Sequence, residues 1–215
     1  HCELHVPRGP VISWRAGEDD RVGIENCVIS AKWLARVHGS PDSTVSLQVH
    51  SSTVVADTGF VFELEPVDQS RRPRIRLSTE RNVFACDNLC AMPDNAAPLQ
   101  FARRVEWQGS HNIYAAPFVA LKSSAGATDS LAIWTARKNV AEQGSVVTQV
   151  TFEKSRDELR ATGLQLIPGS PQDFSLTHTT DLSSQPGDVL GAPVGGIGPE
   201  SLRENGNGDD RGRNR

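Results

Sequence analysis

Apolar residues along the chain fall in short alternating runs rather than at helical spacing. Val22-x-Ile24, Val45-x-Leu47-x-Val49, Ile75-x-Leu77 and Val105-x-Trp107 each put an apolar side chain at every second position. That is the period of a strand with one buried face. Each run leads to a small polar residue followed by apolar neighbours: Asn26 before Cys27-Val28-Ile29, Ser52 before Thr53-Val54-Val55, Asn82 before Val83-Phe84, Asn112 before Ile113-Tyr114. The polar anchors are 26, 30 and 30 residues apart. A further apolar stretch follows each one, at Trp33-Leu34, Phe60-Val61-Phe62, Leu89-Cys90 and Phe118-Val119-Ala120-Leu121. Segments such as Gly39-Ser40-Pro41-Asp42 and Met92-Pro93-Asp94-Asn95 supply turns.

A unit of two or three short strands cannot bury its apolar face alone, but stacked units form a continuous core. The pattern therefore predicts an all-β fold, a parallel β-helix (β-solenoid), with one or two short helices near its C-terminal end. An antiparallel β-sandwich has similarly spaced strands. The solenoid is preferred because the anchors recur with like flanks on both sides. Asn26, Ser52, Asn82 and Asn112 are then expected to form a hydrogen-bonded corner ladder. Stacking also predicts a register: Ile75 on Val105 and Leu77 on Trp107 facing in, Arg76 on Glu106 facing out. Arg74 and Arg104 would become like-charged neighbours on the outer face.

Beyond residue 121 the pattern changes. Asp129 is expected to cap a helix from Ser130 to about Ala141, with Leu131 and Trp134 on one side. Val146 to Phe152 alternates like a strand. Lys154 to Ala161 reads as a short helical turn, and Leu164-x-Leu166-Ile167 as a last strand. From about Asp181 Gly, Pro, Asn, Asp and Arg dominate, and residues 205–215 hold no apolar side chain, the composition of a disordered tail. The expected organisation is a lead-in over 1–9, the β-helix over 10–180 and a tail over 181–215. A first residue other than Met reads as the start of a fragment or processed product.

Composition agrees with strands: valine outnumbers leucine, 20 to 16. A net charge of −4 argues against coating a nucleic acid. No run of 18 apolar residues is present, so no contact with a membrane is expected from this segment. Four cysteines are too few for a disulfide-built scaffold. Cys27 is expected to be a small core residue; Cys86 and Cys90 are either free or bonded to each other.

Catalytic signals are weak. No kinase catalytic-loop or metal-binding motif occurs, and Gly191-x-x-x-Gly195-Gly196-x-Gly198 lacks the Lys-Ser/Thr of a phosphate-binding loop. His1-Cys2-x-x-His5 and Cys86-x-x-x-Cys90 lack a second donor pair for zinc. The expectation is no catalytic residue, no metal and no cofactor. Asp57, Glu63, Glu80, Asp87 and Glu106 are carboxylates a hydrolase or lyase would need, but they read as solvated outer faces of strands. Arg71, Arg72, Arg74, Arg76, Arg81, Arg103 and Arg104 form a candidate anion-binding patch. The competing reading, which is preferred, pairs the outward arginines with Glu80 and Glu106.

The Asn-Cys-Val-Ile (26–29) and Asn-Val-Phe (82–84) corners resemble those of the C-terminal right-handed, pectin-lyase-like β-helix modules of large planctomycete proteins. So do Val105-Glu106-Trp107-Gln108-Gly109-Ser110-His111-Asn112-Ile113-Tyr114, the following Leu131-Ala132-x-Trp134, and Pro171-Gln172-Asp173-Phe174-x-Leu176. The resemblance covers about residues 10–180; Gly191-Ala192-Pro193 departs from the Gly-Ala-Asp usual beside such modules. It implies a right-handed solenoid and a larger parent, in several cases with a serine/threonine kinase domain upstream and a sensor region outside the cytoplasm. It carries over no catalytic residue. The function expected is recognition or spacing, with an extended polysaccharide or a partner protein as ligand. The alternative from another class is a carbohydrate-active enzyme, a lyase or hydrolase, on the same scaffold.

Overall fold

The structure, a computed structural model, describes residues 2–15, 20–39, 44–64, 74–92, 101, 104–122, 128–152, 158 and 176–179. Strands dominate: β1 (Cys2–Arg15), β2 (Asp20–Glu25), β3 (Cys27–Gly39), β4 (Val45–His50), β5 (Thr53–Leu64), β6 (Ile75–Glu80), β7 (Val83–Ala91), β8 (Val105–Ser110) and β9 (Ile113–Ala115). After them come β10 (Leu121–Lys122), β11 (Thr128–Asp129), the helix α1 (Leu131–Thr135), β12 (Val140–Gln143), β13 (Val146–Thr148), β14 (Val150–Phe152) and β15 (Leu176–Thr179). The fold is all-β, and α1 is a helix of five residues. β1 runs through residue 10 without a break. The expected strand at 164–167, most of the turn at 154–161, and the tail from 181 lie outside the described residues.

Two parallel sheets hold the core. The smaller has the order β12-β8-β6-β4-β2; the larger runs β1-β3-β5-β7-β10-β11, with β9 joined to β7 and β13 to β9. Among the described strands, only β10–β11 and the separate pair β14–β15 are antiparallel. From β2 to β9, each strand of the smaller sheet passes through a short corner into a strand of the larger. The next such pair then lies in parallel register on the last.

The expected register is present: Ile75 pairs with Val105, Arg76 with Glu106 and Leu77 with Trp107. Inward rows of the smaller sheet read Val22, Leu47, Leu77, Trp107, Val140 and Ile24, Val49, Thr79, Gly109, Glu142. From the larger sheet Ile29, Leu34, Val37, Val54, Phe60, Phe62 and Phe84 face them, all essentially inaccessible. Aromatic rings interlock across the interior. Phe60 meets Trp107 edge-on at 5.6 Å, and Trp107 meets Trp134 of α1 edge-on at 5.5 Å.

Two sequence expectations need correction. The helix ends at Thr135, not near Ala141, and its cap is Ser130, whose side chain accepts from the Ile133 N–H. Asp129 instead ends β11 and accepts from Arg137 Nε at 2.6 Å. Residues 140–148 are a fifth strand pair, β12 on β8 and β13 on β9. The stretch 146–152 is thus split between two sheets.

The doubled apolar residues after each corner also gain a reason. One of each pair faces the interior and the other faces outward into a second apolar layer of Val28, Val55, Val83, Ala85, Ile113, Ala115 and Val146, against which Phe152 packs. Strands buried on both faces read as continuous apolar runs rather than alternations.

Candidate functional site

The corner is the most regular polar feature. Asn82 Oδ1 accepts from the Ser52 N–H at 2.9 Å, and Asn112 Oδ1 accepts from the Asn82 N–H at 3.1 Å. The Asn82 amide also donates to Val49 O and to Asn112 Oδ1. The row continues in both directions, with Ser145 Oγ accepting from the Asn112 N–H and Ser52 Oγ from the Cys27 N–H.

Asn26 is not a rung; Cys27 holds that place. Asn26 occupies the preceding position, where the chain turns through left-handed backbone: φ is 52° at Asn26, 48° at Ser51, 56° at Arg81, 53° at His111 and 65° at Gly144. The one-residue slip comes from residue type. Asn suits both a side-chain ladder and the left-handed region, so Asn26 mimics Asn82 in the sequence. Cys27 was expected only to fill the core; it is buried and disulfide-bonded. Cys2 stands opposite it in the parallel register. Cys86 and Cys90 are free and buried.

Of the candidate arginines, Arg74, Arg76, Arg81 and Arg104 are among the described residues. Arg71, Arg72 and Arg103 lie outside the described residues. Arg104 is buried, whereas Arg74 is exposed. Arg81 is one of the left-handed corner residues. Arg74 and Arg76 both reach Glu106, at 3.2 and 3.3 Å. Of the other carboxylates, Glu80 meets His50, and Glu63 accepts from Arg36 and His38. Asp57 and Asp87 sit on the larger sheet, in adjacent strands β5 and β7.

What remains open is the outer face of the smaller sheet. Its rows read Arg21, Ser46, Arg76, Glu106 and Gly23, Gln48, Ser78, Gln108, Ala141. Strand spacing sets these side chains about 4.8 Å apart across the sheet. Ser46, Gln48, Arg76, Ser78, Glu106 and Gln108 line a shallow depression of about 410 Å³, and a second of about 400 Å³ extends it past Asp20 and Arg21. The result is a flat trough of amides, hydroxyls and paired charges, suited to hydrogen bonding along an extended ligand.

No family model, curated protein or solved structure matches this chain.

One further cluster escaped the sequence. Glu142 of β12 points inward and accepts from Trp107 Nε1 at 2.5 Å, Tyr114 Oη at 2.9 Å, Asn112 Nδ2 at 3.2 Å and Ser145 Oγ at 2.5 Å. Burial, and then the neighbouring Glu142 charge, push the Tyr114 hydroxyl well above the usual phenol range. Burial likewise raises the Cys90 thiol, with Cys86 and Glu142 adding to it. The available signal was parity. Val140-x-Glu142 before Gly144-Ser145-Val146 repeats the alternation of Leu77-x-Thr79 before Arg81-Asn82-Val83, which makes position 142 an inward one. Three of the four donors converge on Oε1 and one on Oε2, so the fold's own side chains fix the carboxylate in place.

Proposed function

We propose that the chain is a non-catalytic recognition module, a right-handed parallel β-helix of a larger protein, which binds an extended ligand along the outer face of β2, β4, β6 and β8. The handedness follows from the near-universal right-handed crossover between parallel strands of one sheet. The observation that carries the binding reading is the trough over Ser46, Gln48, Arg76, Ser78 and Gln108. Its polar rows repeat at strand spacing, close to the repeat of a polysaccharide chain laid across the strands. The disulfide at Cys27 supports an oxidising, extracytoplasmic setting. The likeness of the 105–176 segment to planctomycete modules supports a parent with a serine/threonine kinase domain upstream.

The test is a panel of immobilised polysaccharides, with the protein compared to its Gln48→Ala/Gln108→Ala variant. Retention of at least one polymer by the protein, weakened tenfold or more in the variant, is the expected result. Retention of none, or equal retention by both, removes the reading. Release of new reducing or unsaturated ends during the same incubations would favour the enzyme alternative.

A further inference from the structure

We infer that the trough selects acidic polysaccharides that carry a carboxylate on every second sugar, held by Arg21 and Arg76; this rests on the recognition reading and names its ligand class. The row across the trough runs Arg21, Ser46, Arg76, Glu106 in the shared parallel register. In charge it reads positive, neutral, positive, negative. Arg21 and Arg76 are two strands apart, about 9–10 Å by strand spacing. A polysaccharide laid across the strands advances by roughly one sugar per strand, so the two guanidinium groups face alternate sugars. Proximity in sequence groups the arginines of 71–81 with those at 103 and 104. The register sets Arg21 in line with Arg76 instead.

Both cations have donors to offer. Arg21 is exposed and lines the trough, and it holds no ion pair or hydrogen bond among the described residues. The carboxylate next to it in sequence, Asp20, stands in the inward row opposite Val45 and accepts from Trp14 Nε1 at 3.2 Å. Arg76 donates Nε to Glu106 at 3.3 Å, which leaves its two terminal nitrogens for the fork that a guanidinium makes with a carboxylate. Glu106 supplies the selection. It is exposed and shared with Arg74. A ligand with a carboxylate on every sugar would set one of them over Glu106, a like-charge contact that disfavours the wrong partner. A neutral sugar in that place presents hydroxyls, which donate to the Glu106 carboxylate. Another neutral sugar falls on Ser46, between the arginines, where hydroxyl meets hydroxyl. Gln48, Ser78 and Gln108 form the adjacent row and bond to either kind of sugar.

The experiment is titration calorimetry with three polymers: hyaluronan, with a carboxylate on every second sugar; polygalacturonate, with one on every sugar; and hydroxyethylcellulose, with none. It uses the protein, Arg21→Gln, Arg21→Lys and the Gln48→Ala/Gln108→Ala variant. The expected result is tightest binding to hyaluronan, weakened tenfold or more in Arg21→Gln and partly restored in Arg21→Lys. Equal affinity of the protein and Arg21→Gln for hyaluronan overturns the inference, as does polygalacturonate binding as tightly as hyaluronan. An oligothymidine that binds as tightly as hyaluronan, with the same dependence on Arg21, also overturns it, because the surface would then take any polyanion. Binding of hydroxyethylcellulose alone, lost in the Gln48→Ala/Gln108→Ala variant, overturns the inference and leaves the recognition reading standing. Binding of no polymer, here or on the immobilised panel, removes both.

Discussion

Glu142 lies directly over Gly109 in the parallel register, and its carboxyl group fills the space that a Cβ at position 109 would take. The glycine is thus a consequence of the glutamate in the next strand rather than of any turn. Gly109→Ala should cost about 1–3 kcal/mol, the range for forcing a methyl into a packed site. In a Glu142→Ala background the same change should cost much less, because its obstruction is gone. Urea unfolding of the two single variants and the double variant measures this, and strict additivity would show that the two positions do not share the space.

The corner ladder predicts a contrast between two asparagines that look alike in the sequence. Asn82→Ala removes the side-chain partner of the Ser52 N–H and of the Val49 carbonyl, while Asn112 Oδ1 keeps the Asn82 N–H and loses only the amide bond. With buried orphans at one to a few kcal/mol each, a loss of about 3 kcal/mol is expected. Asn26 sits at φ 52°, where glycine is at ease. Asn26→Gly should therefore change stability by less than about 1 kcal/mol, while Asn82→Gly should be as damaging as Asn82→Ala. Equal effects at 26 and 82 in thermal or chemical unfolding would place Asn26 back in the ladder.

These residues also mark what the sequence makes legible. Alternation at Val45-x-Leu47-x-Val49, Ile75-x-Leu77 and Val105-x-Trp107 specifies which side chains face in, because the strand period leaves no latitude. A spacing of 30 residues between Asn82 and Asn112 then specifies the parallel register. Two things stay hidden. The outer apolar layer at Val28, Val55 and Val83 is invisible in alternation, because burial on both faces erases the period. Glu142 is hidden because a charged residue at an inward position contradicts the binary pattern that defines the strand, and most of the donors that satisfy it lie on other strands and corners. The outer trough is legible only as polar residues at alternate positions. That they line up as rows depends on the register.

The ion pair predicted from that register is real but shared, since Arg74 and Arg76 compete for Glu106. Arg76 and Glu106 are 58% and 41% exposed, so solvent and salt screen the pair heavily. A double-mutant cycle of Arg76→Ala with Glu106→Ala should give a coupling below about 1 kcal/mol, declining further in molar salt. Swapping the two charges, Arg76→Glu with Glu106→Arg, should rescue only in part, because a guanidinium at position 106 would leave Arg74 facing a like charge. Full rescue on swapping would mean that Arg74 does not reach Glu106 in solution.

Tyr114 gives the cleanest pH signature, because it is the chain's single tyrosine. Its hydroxyl is buried, donates to Glu142, and titrates well above an ordinary phenol. In the unfolded chain the same group ionises near pH ~10. Between that pH and the folded-state value the native protein holds a proton that the unfolded chain has released. By linkage, stability contributed by Tyr114 is complete below about pH 10 and declines as pH rises through the folded-state value. Cys90, raised by burial in the same way, steepens the decline from the thiol range upward. Alkaline titration followed at the phenolate absorbance should therefore show no ionisation until the far-ultraviolet circular dichroism is lost, with both signals moving together. A phenolate signal appearing near pH ~10 in a protein that keeps its strand spectrum would mean that Tyr114 is open to solvent and that Glu142 does not hold it.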